Sequence, residues 1–169
     1  MLFRSGCTRL HVLAGIANDP EGMAHSLEHY VTSLRYAAGY CGERGIAVMI
    51  EPVNAIDIPG YFLTRPIEAL DLIDAIKEKN IFLMYDVYHA QIMEGDLTTT
   101  IGANIDIIKH VQIAGVPDGN EPDRGEVNYP YLFDVLDNAG YDGWVGCEYK
   151  PRAGTLEGLA WARPYGIGL

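Results

Sequence analysis

Five apolar runs of strand length recur along the chain, and a longer stretch follows each of the first four before the next begins. That alternation confines the chain to βα units around a parallel sheet. The runs are residues 9–15 (RLHVLAG), 46–53 (IAVMIEPV), 81–87 (IFLMYDV), 107–115 (IIKHVQIAG) and 143–150 (GWVGCEYK). Each is nearly continuously apolar, as strands covered on both faces should be. Between the first two, Met23, Leu27, Tyr30, Val31, Leu34, Ala38 and Cys41 recur at helical spacing, which predicts an amphipathic helix over 22–44 stopped near Gly45. Ile67, Leu70, Ile73 and Ile76 predict a second helix, with Thr64 as its cap and Pro66 in its first turn. Asn128 and Pro130 open a third that carries Leu132, Phe133, Val135, Leu136 and Ala139 and stops at Gly140. Shorter helices are predicted over 97–105 and 155–163.

Five βα repeats suit either an open doubly wound sheet or part of an eight-stranded barrel. A whole barrel needs about 250 residues, and this chain of 169 residues is one domain's worth, expected to form a single domain over 1–169. Its opening, MLFRSGCTRL, reads like the end of a helix entering a strand.

The net charge of −11 repels phosphate backbones and anionic lipid, so neither nucleic acid nor membrane is an expected partner. No run reaches the roughly 18 apolar residues of a membrane span. Cys7, Cys41 and Cys147 are odd in number and widely spaced, which suits reduced thiols packed as small hydrophobes in a cytoplasmic protein. No GxSxG elbow, P-loop or GxGxxG dinucleotide loop is present, so serine hydrolysis and nucleotide chemistry lack their hardware.

Four strands carry a polar, metal-capable side chain at or near their C-terminal ends: Glu51, Asp86, Gln112 and Glu148. The C-terminal rim of a parallel barrel is where active sites sit. Buried carboxylates are costly unless paired, protonated or bound to a cation, so three acids and an amide on one rim call for a divalent metal. The all-oxygen set favours Mg²⁺ or Mn²⁺ over zinc. Taken singly, each of the four could equally be a strand-end cap. His89, just past the third strand, either reaches a bound ligand or bonds to backbone. Lys150 lies on the strand face of Glu148, where it either holds a substrate carboxylate or offsets the acids. Arg152 and Arg124 are candidates for the same task, and Glu126 for a rim acid, each against a solvated default. His11, His25 and His29 are assigned to packing or surface.

At these residues the chain resembles the hydroxypyruvate isomerase family of xylose isomerase-like TIM barrels. The resemblance runs through IEPVN, YFLTRPIEAL, YDVYHAQIMEGDLT, HVQIAGVPDGNEPDRGEVNYPYLFDVLDNAGYDGWVGCEYKPR and EGLAW. It implies an α/β fold, a partial (β/α)8 barrel whose five units correspond to strands four to eight, with the N-terminal third lacking. It implies metal binding by Glu51, Asp86, Gln112 and Glu148, with Glu51 and Glu148 as the acid/base pair and His89 touching substrate. The implied reaction interconverts hydroxypyruvate and 2-hydroxy-3-oxopropanoate (tartronate semialdehyde) through an enediol, with Lys150 fixing the carboxylate. Isomerisation of 2-oxo-tetronate or a related 2-oxo acid or sugar is the alternative. Outside enzymology, the chain could be an inactive fragment whose open sheet edges associate with another copy, a homo-oligomer.

Overall fold

The apolar runs do form strands, and each is shorter than its run because pairing stops where a neighbour stops. The structure, a computed structural model, describes residues 6–17 and 20–167, with backbone alone for 20–24. In chain order the elements are β1 (Arg9–His11), α1 (Pro20–Gly42), β2 (Ala47–Ile50), α2 (Pro66–Ile76), β3 (Ile81–Asp86), α3 (Val87–Met93), α4 (Leu97–Asn104), β4 (Ile108–Ile113), α5 (Tyr129–Asn138), β5 (Trp144–Cys147) and a terminal 3₁₀ helix (Glu157–Tyr165). The five strands are all parallel and lie in sequence order, β1-β2-β3-β4-β5. That is a half-barrel, with β1 and β5 at its edges.

Helices cover the outer side of the sheet. Leu34, Ala38 and Cys41 of α1, Ala69, Ile73 and Ile76 of α2, and Leu132 and Leu136 of α5 pack with Val48, Ile50, Leu83, Tyr85, Val111 and Ile113 in one buried cluster. Each Val, Leu or Ile among them contributes about 1.5–3 kcal/mol on burial. Asn80 ties α1 to the sheet, its Nδ2 donating to the carbonyls of Ala38 (2.9 Å) and Ile46 (3.2 Å). Pro66 sits at the start of α2, and Asn128 Oδ1 caps α5 by accepting from the N–H of Tyr131 at 3.3 Å. Gly140 follows α5 at φ 76°, the left-handed backbone expected of a stop.

Several expectations are corrected. The cap residue of α2 is Arg65 rather than Thr64; Glu68 supplies the caps, accepting from the N–H groups of Thr64 and Arg65, each at 3.1 Å. Ile67 is exposed. A strict every-third-residue stripe drifts by about 60° per step on a helix, so Ile67 and Ile76 face opposite ways and Pro66 and Ala69 take the inner face instead. Leu27 is exposed too. A helix of 23 residues is about 34 Å long, far longer than the strands beneath it, so its first turns overhang the sheet. The side chain of Met23 and the first five residues of MLFRSGCTRL lie outside the described residues. Only Cys41 is a core thiol; Cys7 and Cys147 are exposed. β5 is not doubly covered, since Trp144 and Val145 are 71% and 37% exposed at the sheet edge. The terminal helix is 3₁₀ and both begins and ends two residues later than expected.

Candidate functional site

The rim is built by residues at the ends of four neighbouring strands. Glu51 directly follows β2 and is buried, 6% exposed. Asp86 is the last residue of β3 and at the same time the cap of α3, its Oδ1 accepting from the N–H of Tyr88 (2.7 Å) and His89 (3.4 Å). It is 5% exposed. Gln112 pairs with Asp86 across the β3–β4 ladder, and Glu148 directly follows β5, anchored by its N–H donating to the carbonyl of Ile113 at 3.1 Å. Gln112 Nε2 donates to Glu148 Oε2, while Gln112 Oε1 is buried without a partner. Gly146, opposite Gln112, leaves the room this needs: a Cβ there would sit 2.9 Å from His110 Nε2 and 3.5 Å from Gln112 Cγ.

His89 lies in the first turn of α3, a helix that sequence reading missed because it follows β3 with no turn residue between. Its Nε2 is 4.0 Å from Asp86 Oδ2, and Glu51, Asp86 and His89 each place one ligand atom within 4.8 Å of the others. These three could hold a metal ion. Gln112 Oε1 adds a buried oxygen with no partner. The donors are mostly hard oxygen, so the residues present fit a divalent cation.

The electrostatics agree. Burial pushes the Glu51 carboxyl up to about 8, with the charges of Asp86 and Glu148 adding to it. Burial pushes Asp86 up to about 7, even though the amides of Tyr88 and His89 pull the other way. Burial lowers His89, against the pull of Asp57 and Glu148. Two acids and a histidine desolvated together are a strained arrangement that a cation relieves.

Other polar candidates stand outside the group of Glu51, Asp86 and His89. Lys150 is exposed and held by its backbone, N–H to the Gly119 carbonyl at 2.8 Å, and its ammonium has no ion-pair partner among the described residues. Arg152 is committed to Asp123 (2.9 Å) and Glu121 (3.1 Å), so it is not available for a substrate. Arg124 and Glu126 are exposed in the loop before α5. His25 and His29 are exposed on α1, as expected.

Sequence reading missed three participants. His11, assigned to packing or surface, places Nε2 3.5 Å from Glu51 Oε2. Its signal was a polar residue amid the apolar first strand. Asn54 and Asp57, in the loop after β2, bond to the second turn-side of the site: Asn54 Nδ2 lies 2.7 Å from His89 Nδ1, and Tyr88 Oη donates to Asp57 Oδ2 at 2.8 Å. An Asn three residues before an Asp was the available sign of a turn.

A half-barrel of parallel strands with acids gathered at the C-terminal rim is part of a TIM-type barrel, and the family model for the xylose isomerase-like TIM barrel matches residues 4–165. The chain belongs to that family. Within it, the chain is 46% identical over 160 residues to a 2-oxo-tetronate isomerase of Cupriavidus necator, and 46% identical over 162 residues to a hydroxypyruvate isomerase of Escherichia coli. Each match covers 95% of this chain and 62% of the relative, so the chain spans about three-fifths of their length. A crystal structure named AP endonuclease, family 2, from Brucella melitensis superposes with a TM-score of 0.88 at 47% identity, over 94% of this chain and 61% of that one.

Proposed function

We propose that the chain carries the catalytic rim of an isomerase that interconverts hydroxypyruvate and tartronate semialdehyde. The observation that carries this is Glu51, a buried carboxyl raised to about 8, on the opposite side of Asp86 and Gln112 from a second glutamate, Glu148. A group that both takes and returns a proton works best with a pKa near the working pH. Interconversion moves a hydrogen and a carbonyl between adjacent carbons, so one proton is taken from one carbon and one returned to its neighbour through an enediol. Glu51 and Glu148 come from β2 and β5, with β3 and β4 between them, which suits proton transfers on two sides of a flat intermediate.

A divalent cation, Mg²⁺ or Mn²⁺, held by Glu51, Asp86, Gln112 and Glu148, would supply Lewis-acid polarisation of the carbonyl when bound. His89 Nε2 faces Asp86 and would donate to a substrate oxygen. Lys150, an ammonium with no ion-pair partner among the described residues, is the group for the substrate's carboxylate. The 46% identity to a 2-oxo-tetronate isomerase supports a second substrate with one more carbon on the same chemistry. Endonuclease action is disfavoured by the charge of −11, which repels a DNA backbone.

The test is turnover of hydroxypyruvate and of 2-oxo-tetronate by the chain with Mg²⁺ or Mn²⁺ added. Glu51→Gln and Glu148→Gln should each lower turnover by about 10²–10⁴-fold, the usual worth of a positioned acid or base, with unchanged circular dichroism. Undiminished rates in either variant, or a parent chain inert toward both acids, overturn the reading.

A further inference from the structure

Asn54 is 0% exposed and uses every hydrogen-bonding position of its amide. Its Oδ1 accepts from the N–H groups of Ile56 (3.0 Å) and Asp57 (2.8 Å). Its Nδ2 donates to Asp57 Oδ2 (2.9 Å) and lies 2.7 Å from His89 Nδ1. Reversing the amide would aim its NH₂ at two N–H donors and its oxygen at a carboxylate. The partners therefore fix which end is nitrogen. An amide nitrogen only donates, so His89 Nδ1 must accept. A neutral imidazole that accepts at Nδ1 carries its hydrogen on Nε2, and Nε2 is the atom that faces Asp86 Oδ2.

We propose that Asn54 is a positioning residue that locks His89 in the Nε2–H tautomer, making His89 a neutral hydrogen-bond donor to substrate oxygen and removing it from the metal's ligands. Ligation through Nε2 needs that nitrogen bare, and a bare Nε2 on a neutral ring puts a hydrogen on Nδ1, where it would collide with the Asn54 NH₂. Ligation through Nδ1 would displace Asn54 outright. Of the three residues gathered within 4.8 Å, Glu51 and Asp86 are left to the cation and His89 to the substrate. The role as a donor to substrate rests on the isomerase reading; the tautomer does not.

The test is ¹⁵N NMR of the histidine rings in the labelled chain. His89 Nδ1 should resonate in the unprotonated range and Nε2 in the N–H range, with a scalar coupling across the hydrogen bond from Asn54 Nδ2 to His89 Nδ1. Adding Mg²⁺ should leave the Nε2 hydrogen in place. In Asn54→Asp, whose carboxylate accepts, the Nδ1 resonance should move into the N–H range; Asn54→Ala should show a mixture of tautomers. A hydrogen on Nδ1 in the parent chain, no coupling to Asn54, loss of the Nε2 hydrogen on adding Mg²⁺, or a parent-like pattern in either folded variant overturns the proposal. None of these readouts depends on turnover, so an inert chain with the expected spectrum fails the isomerase reading alone.

Discussion

Glu51 and Glu148 occupy the same structural position, the first residue after a parallel strand, yet one is buried and the other exposed. The difference is the number of neighbours. β2 has a strand on either side and helices behind it, whereas β5 has only β4 beside it. Glu51 therefore loses its water and has its carboxyl pushed up to about 8, with burial the leading cause. A polar residue at a strand end becomes chemically unusual only where the sheet closes round it, so the site has a desolvated half on β2 and β3 and an open half on β5.

The sharpest way to break this contrast is to compare centre with edge directly. Leu83 on β3 is fully buried among residues of the main cluster, so Leu83→Ala should cost about 2–5 kcal/mol. Val145→Ala, at the edge, should cost less than about 1 kcal/mol. Urea denaturation of both reads the difference, and equal losses would mean that β5 is as integral to the core as β3.

Next in size is the pH dependence of the desolvated half. Glu51 has a folded-state pKa raised from 4.5 to about 8. A raised pKa means the folded state holds the proton more tightly than the unfolded one. Its contribution is then fully present below pH 4.5 and is lost as pH rises through 8. Asp86, raised from 3.8 to about 7, acts in the same direction. In metal-free buffer Glu51→Gln should thus gain stability relative to the parent between pH 5 and pH 8, by on the order of 4 kcal/mol at the upper end. Glu148→Gln, which removes only a minor contributor to the raised Glu51 carboxyl, should gain less than Glu51→Gln across the same range. Matching pH profiles for the two variants would erase the distinction between the halves.

How much of this was readable follows the same physics. Asp86 and Gln112 stand out in the sequence because a polar residue closing an apolar strand is a local signal. The parallel βα arrangement was readable from alternation, which suits an open doubly wound sheet as well as part of a barrel; the barrel came from the family resemblance. His11 and Asn54 were not, because their importance depends on what meets them in space. The loop after β2 is returned to the sheet by the N–H of Val53 donating to the Leu63 carbonyl (3.0 Å), which sets Asn54 against a histidine 35 residues away. Helix α3 was hidden because Asp86 serves both as the end of β3 and as the helix cap, so no turn residue marks the change. The exposure of Trp144 and Cys147 was hidden because an apolar strand looks the same in sequence whether or not a neighbour covers it.

A cation should reverse the pH effect. At pH 8, Mg²⁺ or Mn²⁺ at 100 times its dissociation constant should stabilise the chain by about 2.7 kcal/mol, read as a rise in melting temperature. Glu51→Gln and Asp86→Asn should each abolish most of that rise. A cation-induced shift that survives in both variants would place the ion elsewhere.

The smallest effect on stability tests the open half. The unpaired side of β5 presents Trp144 and Val145, beside an apolar cleft lined by Phe133, Trp161 and Tyr165. An uncovered parallel edge next to an apolar surface invites pairing with another strand, so the chain should self-associate as concentration rises. A charge on the edge opposes that pairing without touching the buried cluster. Val145→Lys should lower the apparent mass in light scattering while changing unfolding free energy by no more than about 0.5 kcal/mol. If the parent is monomeric at every concentration, the edge is already protected by the chain's own geometry. If instead Val145→Lys unfolds the chain, β5 belongs to the core after all, and the contrast between Glu51 and Glu148 needs another cause.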